Sequence, residues 1–146
     1  LYNGLESPDP AATNLDDDTA GITVSAISGD TDEDGATATF TVVLDSEPTA
    51  EVSIALSSSN EDEGTVAPAG LTFLPGNWSV PQQVTVTGVS DLLNDGDVAY
   101  TVITGPASSA DAGYDCIDTV DVDVINLVTT PLSQEVFRDG FEIGPP

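Results

Sequence analysis

The sequence predicts an all-β protein: a seven-stranded antiparallel immunoglobulin-like sandwich with extended segments at both ends. Three observations carry this. From Ile22 onward apolar residues recur with a period of two, not with the helical period of about 3.6. Clusters of Gly, Pro, Asp, Asn and Ser interrupt that alternation at short intervals. The chain is rich in Thr, Val, Ser and Gly, contains no Met, and has little aromatic mass, a composition that favours strands and turns.

The elements follow in order. ITVSAI places Ile22, Val24 and Ala26 on one face. ATATFTVVL turns Ala38, Phe40, Val42 and Leu44 inward and Thr37, Thr39 and Thr41 outward. EVSIALS contributes Val52, Ile54 and Leu56, and LTF adds a short strand with Leu71 and Phe73. QQVTVTGV alternates Val84 and Val86 with Thr85 and Thr87, and VAYTVI aligns Val98, Tyr100 and Val102. DTVDVDVINL closes the set with Val120, Val122 and Val124 inward. SGDTDEDG, DSEPTA, NEDEGTVAPAG, LPGNWSVP, SDLLNDGD and GPASSADAGY read as connections. The sandwich is expected over residues 21–127, preceded by a strand-like segment and acidic linker over 1–20 and followed by a tail over 128–146.

Charge bounds the function. The 146 residues hold 26 acidic side chains, one Arg (Arg138) and no His, for a formal net charge of −25. Nucleic acid is excluded as a partner because phosphate contacts need Lys or Arg. No stretch approaches the ~18 apolar residues of a membrane helix, so no membrane insertion is expected. Catalysis is not expected: no His or Lys is present to activate any of the Ser residues, and zinc-type ligand spacing is lacking. The lone Cys116 has no internal disulfide partner; it is either a small buried hydrophobe or a thiol that pairs between chains, and its place beside Ile117 favours the first.

Three acidic constellations are candidates for Ca2+. SGDTDEDG places Asp30, Asp32 and Asp34 before Gly35, the first half of an EF-hand loop whose second half fails, because Thr41 stands where the bidentate Glu belongs. Such a turn either binds calcium through alternate carboxylates or is a solvated bend. LDDDT supplies the adjacent Asp16, Asp17 and Asp18, and SDLLNDGD supplies Asp91, Asp95 and Asp97. The three groups are expected to gather at one pole of the sandwich. Asn77-Trp78-Ser79 has the pattern of a glycosylation acceptor, which makes Asn77 a possible site of glycan attachment.

Residues 21–127 resemble a Calx-beta-type repeat, the calcium-binding sandwich of exchangers, integrins and bacterial surface proteins. The resemblance is carried by DEDGATATFTVVLDSEPTAEVSIAL and by LTFLPGNWSVPQQVTVTGVSDLLNDGDVAYTV. It departs at NDGD, where the family often has glutamates and this chain has Asp95 and Asp97. The ending EVFRDGFE is similar to short tails of many secreted bacterial proteins, which implies a bacterial, extracellular, cell-surface setting and a natural C-terminus.

The chain also repeats itself. A shift of 112 positions sets Tyr2 on Tyr114, Asp9 on Asp121, Asn14 on Asn126 and Leu15 on Leu127. Asn3 with Asp115, Leu5 with Ile117 and Glu6 with Asp118 are near-equivalents, whereas Asp16–Asp18 fall on Val128, Thr129 and Thr130. The opening therefore reads as the last strand of a module followed by an acidic linker: either a slice of a tandem array or a subunit that passes its first segment to a neighbour. The function expected is a non-catalytic, calcium-stiffened structural or adhesive module that partners itself head to tail, as a filament subunit, or neighbouring repeats. The alternative is a calcium-dependent accessory module of a secreted hydrolase.

Overall fold

The computed structural model describes residues 18–91 and 95–129. They form strands β1 (Ile22–Val24), β2 (Thr31–Asp32), β3 (Thr37–Leu44), β4 (Val52–Ser58) and β5 (Gly64–Ala67). Strands β6 (Gly70–Phe73), β7 (Gln82–Gly88), β8 (Val98–Thr104), β9 (Ser108–Ser109) and β10 (Val122–Leu127) follow, and no helix occurs among the described residues. One sheet has the order β1-β3-β7-β5; the other runs β2-β10-β8-β4-β6, with β9 also on β4. All pairings are antiparallel except β2 with β10. The protein is thus the all-β, immunoglobulin-like sandwich that the alternation predicts.

The inward rows meet between the sheets. Phe40, Val42, Val84 and Val86 on one side face a set that includes Val52, Ile54, Phe73, Val102 and Val124, each no more than 2% exposed. Full burial of such a side chain stabilises by about 1.5–3 kcal/mol, enough to fix the register, since a one-residue slip would turn the whole row into water.

Several details depart from the alternation. The ladder of β1 ends at Val24, where Ser25 N–H donates to Thr41 O at 2.9 Å and Ser28 N–H to Thr39 O at 2.8 Å. Three steps on one chain oppose two on the other, so the pattern slips: Ala26 is exposed and Ile27 packs on the core instead. The Ser25 and Ser28 hydroxyls accept from the N–H groups of Thr41 and Thr39, both at 2.9 Å, which closes this edge with side chains. Strand β10 starts at Val122, leaving Val120 67% exposed, and its inward row continues through Asn126. Strands β2, β5 and β9 lie inside stretches expected to be connections. Cys116 is exposed rather than buried and sits at φ +71°; the tight turn that seats Tyr114 inward carries it outward.

The two ends of the sandwich differ. One gathers the β2–β3, β4–β5 and β7–β8 connections and the end of β10. The other gathers the start of β1 and the β3–β4, β6–β7 and β9–β10 connections. At this second end the Tyr114 hydroxyl takes the N–H of Ser46 at 3.0 Å and donates to its carbonyl at 2.7 Å, tying the β9–β10 connection to the β3–β4 connection.

Candidate metal centre

At the first end, a buried polar chain organises the surface. The inward row of β10 brings Asn126 to 0% exposure, where an amide must find partners for both its ends. Its Oδ1 accepts from Thr31 Oγ1 at 3.0 Å, and Thr31 lies 3.0 Å from the Tyr100 hydroxyl. Its Nδ2 donates to Val89 O and to Glu63 Oε2, both at 3.0 Å. Gly88 is required beside this amide: a Cβ there would overlap the Asp32 carbonyl and lie 2.6 Å from Asn126 Oδ1.

Glu63 is held from two sides. The turn Asn60–Gly64 closes with Glu63 N–H on Asn60 O at 3.1 Å, and Val89 N–H reaches Glu63 O at 3.0 Å. The side chain is 4% exposed. Asp91 and Asp95, from the β7–β8 connection, converge on it, and one carboxylate oxygen from each of Glu63, Asp91 and Asp95 lies within 4.8 Å of the others. Burial pushes the Glu63 carboxyl above its ordinary range, against the Asn126 hydrogen bond, and the charges of Asp91 and Asp95 push it further. Glu33, half-buried on the β2–β3 turn, is raised by lost hydration and then by Asp91, Asp95 and Asp34.

No protein cation offsets these charges within residues 18–129, since the chain's single basic side chain is Arg138. A buried carboxylate among like charges is costly unless a proton or a cation joins it. Three carboxylates form an all-oxygen donor set, which suits a hard divalent ion of the calcium type and not zinc. Glu63, Asp91 and Asp95 are the residues that would hold it.

The predicted ligands separate. Asp91 and Asp95 join the cluster, and Asp34 stands close enough to raise Glu33. Asp32 Oδ1 is taken by the N–H groups of Asp34 at 2.9 Å and Ala36 at 3.0 Å, which hold the turn that Gly35 completes at φ +94°. Asp97 Oδ1 accepts from Val128 N–H at 3.0 Å, and Asp34 Oδ1 accepts from Thr129 Oγ1 at 3.3 Å. Asp30 lines a shallow depression beside Ser59, Tyr100 and Asp123. Asp18 lies at the opposite end, near Glu47, Pro48, Thr49 and Pro75, so this residue does not join the other two groups at one pole of a single chain. The reason is connectivity: the linker enters at the start of β1, and that strand end pairs with Leu44, far from the β7–β8 connection. Asp16 and Asp17 lie outside the described residues. Asn77 is exposed in the β6–β7 connection, its Oδ1 accepting from Leu74 N–H at 2.7 Å.

Sequence reasoning missed Glu63, Glu33 and Asn126. Glu63 stands in NEDEG beside Glu61 and Asp62, which are exposed. Its one distinguishing mark is adjacency to Gly64, where a Cβ would overlap the Tyr100 ring.

No family model matches the chain, and no curated protein matches it. Among solved structures, it is similar to SSP-19, an MSP-domain protein like family member in Caenorhabditis elegans. The identity is 16%, over 72% of this chain and 99% of that one, with a TM-score of 0.45. It is similar also to WR4, a C. elegans MSP family member, at 12% identity over 74% of this chain and 97% of that one, with a TM-score of 0.48.

Proposed function

We propose that this protein is a non-catalytic structural or adhesive module of a bacterial extracellular protein, stiffened at one end by Ca2+ and joined head to tail to further modules. The observation that carries the reading is Glu63: a carboxylate 4% exposed, facing Asp91 and Asp95, in a body without a single basic side chain. Such a group is stabilised by a bound cation or a proton, and near neutral pH the cation is the more effective partner. The resemblance of residues 21–127 to Calx-beta-type repeats supports calcium as the ion, and EVFRDGFE supports the extracellular setting. The two ends of the body also suit stacking, because the chain enters β1 at one and leaves β10 at the other.

Calorimetric titration tests the site. Ca2+ is expected to bind with an affinity in the range of extracellular modules, about 10⁻⁴–10⁻³ M. The double variant Glu63→Gln/Asp95→Asn is expected to lose the heat entirely. A wild-type chain that shows neither binding heat nor a shift in melting temperature in millimolar calcium would remove the reading.

A further inference from the structure

We propose that Asp95–Gly96 is a site of spontaneous isoaspartate formation, and that this modification irreversibly disables the cation site to which Asp95 belongs. The consequence rests on the calcium reading; the modification itself follows from the local chemistry.

Among the described residues, aspartate precedes glycine at 34–35 and at 95–96. Both pairs lie at the charged end, in the β2–β3 and β7–β8 connections. Both glycines occupy the left-handed region, at φ +94° and φ +79°. An aspartate side chain is long enough to bring Cγ against the nitrogen of the next residue, and a glycine there has no Cβ to keep them apart. The two pairs start with the same intrinsic reactivity, and their surroundings separate them.

Asp34–Gly35 is pinned. Gly35 N–H donates to Asp32 O at 3.1 Å, and Asp34 N–H donates to Asp32 Oδ1 at 2.9 Å. Asp34 Oδ1 accepts from Thr129 Oγ1 at 3.3 Å. The nitrogen that would attack is engaged by a carbonyl, and the carboxylate that would receive it is held by a hydroxyl. Asp95–Gly96 has neither restraint. Among the described residues, the Gly96 N–H and the Asp95 carboxylate have no hydrogen-bond partner. Asp95 is exposed, and a Cβ placed on Gly96 would meet nothing within 4 Å. Its nearest charged neighbours, Glu63 and Asp91, repel it and offer no donor.

The reaction needs only water. The Gly96 nitrogen attacks Asp95 Cγ; the N–Cγ bond forms as a Cγ–O bond breaks, and the oxygen leaves as water with protons from the nitrogen and from solvent. Water then adds to the main-chain carbonyl carbon of Asp95, and the old peptide bond breaks. The chain now runs through Cγ, the former main-chain carbonyl is a free carboxylate, and the mass is unchanged. The β7–β8 connection gains one methylene and the side chain loses one. Glu63 and Asp91 lose their third partner, and Asp97, two residues on, is shifted from the Val128 N–H that it accepts at 3.0 Å. A cation held by Glu63, Asp91 and Asp95 would engage the oxygens that must leave, so loaded modules would persist while empty ones age.

The test incubates the full chain for weeks at neutral pH, in calcium and in chelator. A protease that cleaves before aspartate but not before isoaspartate, followed by mass spectrometry, reads each pair separately. In chelator, Asp95 is expected to convert about tenfold faster than Asp34, whose pair must first break its hydrogen bonds. Gly96→Ala is expected to slow that conversion, Asp95→Glu to abolish it, and calcium to slow it several-fold. Chain isomerised at Asp95, separated by ion exchange, is expected to give no calcium heat. Equal conversion at Asp95 with and without calcium would support the modification and count only against the calcium reading. Asp95 that stays intact in chelator, or converts no faster than Asp34, would overturn the inference.

Discussion

The two ends of this sandwich treat carboxylates in opposite ways. At the end closed by Tyr114, Asp111 is given donors: Thr49 N–H at 2.7 Å and Gly113 N–H at 2.7 Å hold its carboxyl below the ordinary range. At the other end Glu63 is desolvated and set against Asp91 and Asp95, and its carboxyl rises. The first end is complete by its own hydrogen bonds. The second has its negative charge arranged before anything positive is supplied. That contrast separates a structural connection from a site, and it does so without reference to how many acidic residues each end holds.

The largest effect expected is at the hub of the charged end. Asn126→Ala removes donors from Glu63 and Val89 and an acceptor from Thr31, leaving buried polar groups unpaired. A loss of about 3 kcal/mol or more in urea unfolding is expected. At the other end, Tyr114→Phe leaves the Ser46 N–H and carbonyl without their partner while keeping the ring. About 2 kcal/mol is expected to be lost, at the same value with or without calcium, which marks that end as independent of the ion.

The pH dependence distinguishes the ends next. A raised carboxyl such as Glu63 binds its proton more tightly folded than unfolded. In chelator, stability is therefore expected to rise as pH falls from neutral through its raised pKa toward the ordinary glutamate value. Asp111 runs the other way: its contribution is present above the ordinary aspartate value and is lost as pH falls through its lowered one. Melting curves from neutral to strongly acidic pH are expected to show a gain followed by a loss, and Glu63→Gln is expected to erase only the gain. The smallest effect is at Cys116, where Cys116→Gly is expected to stabilise by about 0.5–1 kcal/mol by relieving the left-handed backbone.

The sequence made the sandwich legible where side chains alternate over five or more residues, as in β3, β4, β7 and β8. It did not show β2, β5 or β9, which are two to four residues long and exist because a neighbouring strand offers hydrogen bonds. Nor could it show the slip at Ser25–Ser28, which depends on two hydroxyls replacing ladder partners on an edge. Two of the three clustered carboxylates were readable in the sequence. Asp91 and Asp95 announce themselves in an acidic loop. Glu63 differs from Glu61 and Asp62 only in facing Asn126, a residue 63 positions away. Asp32 shows the converse: its spacing with Asp34 suggested a ligand, and what the structure shows is its Oδ1 accepting from the turn's own N–H groups. Burial and partner identity decide which carboxylates are available to an ion, and neither is a local property of the chain.

The most direct test is the melting temperature of wild type and Glu63→Gln, each measured in chelator and in millimolar calcium. Without calcium the Gln variant is expected to melt higher than wild type, because it removes a buried negative charge from between Asp91 and Asp95. With calcium the order is expected to reverse, because wild type gains a bound ion that the variant cannot hold. The same order in both conditions would contradict the claim that this end of the sandwich is completed by a cation.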